Sequence, residues 1–317
     1  DRGRTCASKP GGTAIISPVG TSARCPGDMI TGVPSGFSWL DKKLSGLGRA
    51  HLIIVAARPG GGKTSFVLNV ASNVAASIAK EKKDDWQDDD APEAYEHFKR
   101  VIAFFSLEMT SDDLILRLAA ARGMIPLYRL RTPKVMHDDD WRNLSPTLAS
   151  IGDQHLYIDD TSDLSIHEMR SKARRLKAEK GRLDLVVVDY LQLMKAPSKV
   201  EARHLEIAEI TRALKGLAKE LDCPVIALSQ LSRKTEERDG KPLLSHLRES
   251  GSIEQDADVV LFLSREQAKD DDAPHGETPV PMDLIIAKNR HGSTGETKMH
   301  FHGDIVRFME ITEEYEE

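Results

Sequence analysis

The stretch HLIIVAARPGGGKTSFVLNV, residues 51–70, constrains this chain more than any other. An apolar, β-rich run from Leu52 to Val55 enters a glycine-dense turn. The turn opens directly into a helical pattern that carries Phe66, Val67 and Val70. Strand, loop and helix therefore follow one another without a gap. The loop holds Gly62, Lys63 and Thr64, which matches the phosphate-binding pattern G-x-x-x-x-G-K-[ST] except that Ala57 stands at the first glycine. Glycines let backbone N–H groups close around an anion, and the helix start adds partial positive charge. The candidate cradle is Arg58, Pro59, Gly60, Gly61, Gly62, Lys63, Thr64 and Ser65. Lys63 is a point charge that can reach the β- and γ-phosphates, and the Thr64 hydroxyl can hold a magnesium ion. The plainer alternative is a glycine turn with a surface lysine.

The rest of the chain repeats the alternation of strand and helix that builds a mostly parallel sheet covered on both faces. Apolar runs at 101–108, 155–160, 183–190, 223–230 and 258–264 read as strands. Thr110 or Ser111 caps one helix, which ends near Gly123. Ser165 and Glu168 form a capping box for another, which stops at Gly181. Residues 202–221 read as a helix with Leu205, Ala208, Ile210 and Leu214 on the buried side. MDLIIAKNR, ETKMHFH and IVRFME make an antiparallel end to the sheet. The charged stretch 80–100 reads as a surface insertion, and residues 1–27, rich in Gly, Pro, Ser and Thr, as a flexible tail before a single domain over 28–317. Asp1 in place of methionine reads as a fragment or a processed chain.

Composition narrows the class. A net charge of −6 argues against a broad basic coat for nucleic acid, though not against a local basic channel. No apolar run approaches the ~18 residues of a membrane span. Three cysteines, Cys6, Cys25 and Cys223, show no metal-ligand spacing, which fits a reduced, cytoplasmic chain.

A phosphate loop needs partner groups to hydrolyse a nucleotide. Asp189 ends the run LVVVD at the carboxyl end of a strand, where open α/β sheets place ligands, and there it can hold a magnesium-bound water. Glu108 in FFSLEM either orients the attacking water or is an acid at the start of a helix. Gln230 in ALSQ either meets the γ-phosphate or is an ordinary polar strand end.

TGVPSGFSWLDKKLSGL, AARPGGGKTSF, FFSLEM, VVVDYLQLM, ALSQLSR, LRESGSIEQDAD and KNRHGSTGE occur in this order. The series resembles that of the DnaB-type replicative DNA helicases and covers about residues 28–311. The resemblance implies a RecA-like P-loop NTPase fold, α/β, with a mostly parallel central sheet and a C-terminal antiparallel hairpin. It also implies a homo-hexameric ring around single-stranded DNA, Mg2+ and ATP between neighbouring subunits, 5′ to 3′ movement, and contacts with primase and a helicase loader. Carried onto this sequence, it makes Glu108 the catalytic base, Asp189 the Walker-B acid and Gln230 the γ-phosphate sensor. Lys288 and Arg290 reach the neighbour's nucleotide, Arg290 as its arginine finger. Arg248, Glu249 and Gly251 touch the DNA backbone. The family's N-terminal helical domain and linker helix, which form the collar and meet primase, have no counterpart here, and the insertion after Lys80 is longer than the family needs. Two other readings remain. One is a RecA-like ATPase of recombinase or clock type, against which LRESGSIEQDAD speaks. The other is an inactive nucleotide-binding module that associates with a helicase ring, against which intact Glu108 and Asp189 speak.

Overall fold

The computed structural model describes residues 30–77, 99–194, 203–231, 241–265 and 279–311. The tail and nearly all of the charged insertion lie outside them. The described strands are β1 (Leu52–Ala57), β2 (Ile102–Ser106), β3 (Leu156–Asp159), β4 (Leu185–Asp189), β5 (Val225–Gln230), β6 (Val259–Arg265), β7 (Val280–Asn289), β8 (Gly295–His302) and β9 (Arg307–Glu310). They form one sheet in the order β3-β2-β4-β5-β1-β6-β7-β8-β9. Pairing is parallel from β3 through β6 and antiparallel from β6 through β9. This is the α/β architecture expected from the sequence.

The strands LIIVAA and LVVVD are continuous apolar runs because both faces of the parallel sheet are covered. Side-chain parity divides them between two cores. Ile53, Val55 and Ala57 meet α1 (Ser38–Leu44), α2 (Lys63–Ala76) and α3 (Ser111–Gly123) through Leu40, Phe66, Val70 and Leu114. Beside α3 lie a short α4 (Leu127–Arg131) and α5 (Asp138–Gly152). On the other face, Leu52, Ile54 and Ala56 meet α6 (Ile166–Lys180) and α7 (Arg203–Leu221) through Met169, Ala173, Ile210 and Leu214. The last helix, α8 (Gly251–Asp256), leads into β6 and follows a 3-10 segment, Leu244–Ser250.

The capping signals act as their chemistry requires. Thr110 accepts from the Asp113 N–H, the Ser165–Glu168 box closes reciprocally, and Gly181 ends α6 in the left-handed region at φ 73°. Leu205 is a correction: it is 49% exposed. It sits two residues before Ile207, about 200° round the helix from the stripe of Ile207, Ile210, Leu214 and Leu217 that does bury. Residues 138–152, not expected to be helical, form α5. Its triple-aspartate start, the internal Pro146 and exposed Trp141 and Leu148 blur the helical pattern.

Phe66 locks the phosphate-loop helix in place. Its ring stacks on Phe37 at 5.2 Å and meets Phe308 edge-on at 5.4 Å. Full burial of such a side chain contributes about 3 kcal/mol. One helical turn on, Asn69 accepts from the Phe308 N–H at 2.9 Å and donates to the Val306 carbonyl, so the terminal antiparallel strands are fastened to α2.

Candidate functional site

The loop between β1 and α2 is shaped for an anion. Gly60 and Gly62 stand in the left-handed region at φ 70° and 78°, and a Cβ on Gly61 would lie 2.9 Å from the Arg58 carbonyl oxygen. The first turn of α2 has no acidic residue, so its positive end is not neutralised from within. Ala57 departs from the usual glycine harmlessly. It is still inside β1, paired with Gln230 and Leu263, in extended backbone that any residue adopts. The Lys63 ammonium lies 5.3 Å from the centroid of the Tyr190 ring.

The adjacent strands β2, β4 and β5 bring Glu108, Asp189 and Gln230 to the same carboxyl edge of the sheet. Asp189 is fully buried, and neither of its carboxylate oxygens makes a hydrogen bond. Burial pushes its pKa up. The Thr64 hydroxyl, near enough to act on the charge though outside hydrogen-bond geometry, and the Lys63 ammonium oppose that shift. A buried carboxylate left bare is costly unless a cation or its water shell completes it. The pair Thr64 and Asp189 thus fits magnesium carried in on nucleotide phosphates. Among the described residues, no group of three or more His, Cys, Asp or Glu could hold a metal by itself.

Glu108 projects to solvent from a turn closed by the Ser106 hydroxyl donating to the Met109 carbonyl at 2.6 Å. The Leu107 N–H donates to the Asp189 carbonyl at 2.7 Å, which ties this turn to β4. The alternative for Glu108, service at the start of α3, is already taken: Thr110 pairs with Asp113, and the Ser111 N–H donates to Asp160. Gln230 ends β5, where Gln192, from the turn after β4, donates to the Ser229 hydroxyl at 3.0 Å and bridges the two strand ends.

The sequence reading missed Arg117. It lies on α3 between the buried Leu114 and Leu118, and its Nη1 donates to the Ser65 hydroxyl at 3.4 Å while its Nε is buried without a partner. Burial lowers its pKa, and Asp189 and Glu108 are among the charges that act on it. The only sequence signal was an arginine on the apolar stripe of a helix.

Lys288 and Arg290 are not in this cluster. The Arg290 N–H donates to the Asp258 carbonyl at 2.8 Å, its Nη1 to Asp258 Oδ1 at 3.1 Å and its Nη2 to the Gln255 carbonyl at 2.8 Å. Lys288 donates to the carbonyls of Glu254 and Ala257. The other Asp258 oxygen accepts from Lys215 and from the Leu52 N–H. Leu52 begins β1 and Ala57 ends it, so the two cations stand one six-residue strand, roughly 20 Å, from the phosphate loop of their own chain. Residues 248–251 span the junction of the 3-10 segment and α8, but their side chains lie outside the described residues. Of the other cations nearby in sequence, Lys241 is engaged by Glu296 at 2.7 Å.

Comparison with known proteins places these features in a family. The family model described as DnaB-like helicase C terminal domain matches residues 32–310. Replicative DNA helicase DnaB of Geobacillus stearothermophilus is 42% identical over 290 residues, which cover 91% of this chain and 58% of that protein. Its counterpart from Leifsonia xyli subsp. xyli is 44% identical over 301 residues, 94% of this chain and 60% of that protein. The chain therefore spans less than two thirds of the length of these curated relatives. Among solved structures, one described as an ATPase domain gives a TM-score of 0.78 at 34% identity over 90% of this chain and 94% of that one. A structure described as a DnaB-like replicative helicase and its interactions with primase gives 0.77 at 34% identity over 89% and 62%. The RadB recombinase gives 0.52 at 16% identity over 88% and 100%, a likeness of fold alone.

Proposed function

Since the chain belongs to the DnaB-like helicase C-terminal domain family, we propose that it is the motor of a replicative DNA helicase. It hydrolyses Mg-ATP at the contacts of a six-membered ring, moves 5′ to 3′ along single-stranded DNA and separates duplex in the cytoplasm. The observation that carries this reading is the division of the site. The phosphate loop, Asp189, Glu108 and Gln230 lie at one edge of the sheet, and Lys288 and Arg290 at the other. Such a chain completes a site only with a second copy.

In this reading the backbone of residues 58–62 and the Lys63 ammonium hold the phosphates. Thr64 and Asp189 hold the magnesium, which neutralises phosphate charge when bound. Glu108 accepts the proton of the attacking water, and Gln230 senses the γ-phosphate. Lys288 and Arg290 of the next subunit meet the charge that develops as the γ-phosphate departs. Arg248, Glu249 and Gly251 grip the DNA backbone. Each base-pair step opened costs about 1.4 kcal/mol in stacking, so the motor works in small repeated steps. Primase and a loader are the partners this function implies. The recombinase reading shares the fold but not the LRESGSIEQDAD segment.

The test is steady-state ATPase with and without single-stranded DNA, alongside strand displacement from forks bearing a 5′ or a 3′ tail. DNA stimulates turnover, and only the 5′-tailed strand supports displacement. Turnover indifferent to DNA, or displacement from the 3′ tail alone, overturns the proposal.

A further inference from the structure

α8 is a six-residue helix, about 9 Å long. The last carbonyls of any helix lack intrahelical partners. Here those of Glu254 and Gln255, and that of Ala257 just past the helix, are claimed by Lys288 near the end of β7 and Arg290 just after it. Lys288 donates to the Glu254 and Ala257 carbonyls, and Arg290 to that of Gln255. Beneath them Asp258, itself buried, pairs with Arg290 and fixes the junction to β1 and α7 through Leu52 and Lys215. Ile253 is fully buried and seats α8 in the core. The segment that carries two of the three candidate DNA contacts, Leu244–Ser250, runs straight into the other end of the same helix, where the third, Gly251, is the first residue.

We propose that the last turn of α8, with Asp258, is the seat that positions Lys288 and Arg290, and that strand binding at residues 248–251 reaches these cations through it. The inference rests on the function proposed above. A helix of about 1.7 turns carries a shift at its start to the carbonyls at its end, and the cations bound there move with it. Such coupling is reciprocal: what alters the seat alters DNA affinity. A cation that merely serves chemistry in the neighbouring subunit has no such effect when nucleotide is absent.

The experiment measures binding of a fluorescent oligo(dT) to this chain without nucleotide, across a salt series. Lys288→Ala weakens binding by about fivefold or more and leaves the slope of log K against log salt unchanged. Lys288→Gln, which keeps a donor for the carbonyls, restores most of the affinity. Parent affinity in Lys288→Ala overturns the proposal. So does a slope shallower by about 0.7, since Lys288 then touches a phosphate itself. Should Lys288→Ala fail to melt cooperatively, Ala257→Gly softens the joint between α8 and β6 while keeping both cations. The ratio of DNA-stimulated to DNA-free turnover then falls about fivefold, and an unchanged ratio overturns the proposal. A parent chain that does not bind the oligonucleotide defeats the function itself, and this inference with it.

Discussion

Arg290 is ion-paired with Asp258 at 3.1 Å, at the end of the sheet opposite to Lys63. The Asp258 carboxylate is almost fully buried, and although burial favours its neutral form, Lys215, the Leu52 N–H and His51 hold its pKa below the usual carboxylate value. The Arg290 side chain is itself 44% exposed, so it is anchored by Asp258 and still open to solvent. A planar guanidinium suits phosphate oxygens, and this one stands a full strand from its own phosphate loop.

We predict that Arg290 acts on a neighbouring subunit. Arg290→Ala and Lys63→Ala chains are each nearly silent as ATPases, because a trans-acting arginine contributes about 10³–10⁵ in rate in P-loop enzymes. Mixed, they regain part of the activity, since one supplies the pocket and the other the finger. Co-assembly is followed by sedimentation. Co-assembled rings that stay silent sink the idea, as does normal turnover by Arg290→Ala alone with DNA present.

Charge on phosphate and activation of water are separate tasks, and the cradle divides them. Lys63→Ala loses nucleotide affinity. Glu108→Ala binds ATP as the parent does and loses turnover by about 10²–10⁴-fold, the usual contribution of a general base. Affinity from a fluorescent ATP analogue and turnover from phosphate release check the two independently. Parent-rate hydrolysis by Glu108→Ala removes the base assignment.

Asp189 costs the nucleotide-free protein stability. Its folded pKa is raised by burial, so the folded chain is least penalised below the ordinary value of 3.8 and carries the full penalty once pH has risen above the folded value. Asp189→Asn removes the buried charge. At pH 7 without nucleotide it melts higher than the parent, by about 2–4 °C for each kcal/mol recovered, and turnover falls by about 10²-fold or more. A lower melting point shows that the carboxylate has a stabilising partner in the free chain.

His51 stacks on His291 with centroids 4.8 Å apart, beside Asp258, Lys215 and Arg290. Burial lowers its pKa from 6.5, and His291, Lys215 and Arg290 add to that, against Asp258. The folded chain then binds fewer protons than the unfolded chain between the two values, so stability is full above 6.5 and declines as pH falls towards the folded value. Thermal midpoints at pH 7.5, 6.5 and 5.5 show this decline, and His51→Gln makes it shallower by about 1–3 °C. A variant that tracks the parent at all three values removes His51 as a source of the pH dependence.

Buried Cys223 is chemically quiet: burial pushes its thiol up to about 12, so almost no thiolate forms near neutrality. Cys223 is free, while Cys6 and Cys25 lie outside the described residues.

The sequence by itself determined the strands, the phosphate loop and the strand-end positions of Glu108, Asp189 and Gln230. Each depends on local chemistry: continuous apolar runs for strands buried on both faces, glycines for a left-handed turn, a polar residue at a strand end. Even the caps at Thr110, Ser165 and Gly181 were legible, since a cap bonds to its own next few residues. What only the tertiary structure decided is which end of the sheet each group occupies and what holds it. The sequence could not exclude Glu108 as a capping acid; Asp113 and Asp160, from α3 and the end of β3, take that work. Arg117 on an apolar stripe gains meaning only when α3 packs beside Ser65. Asp258, at the start of the strand read over 258–264, gains a role only when Lys215 from α7 and Arg290, just past β7, converge on it. These contacts join residues tens of positions apart, and no local preference encodes them. They arise because the parallel order β5-β1-β6 puts the starts of β1 and β6 side by side, a full strand away from the nucleotide loop.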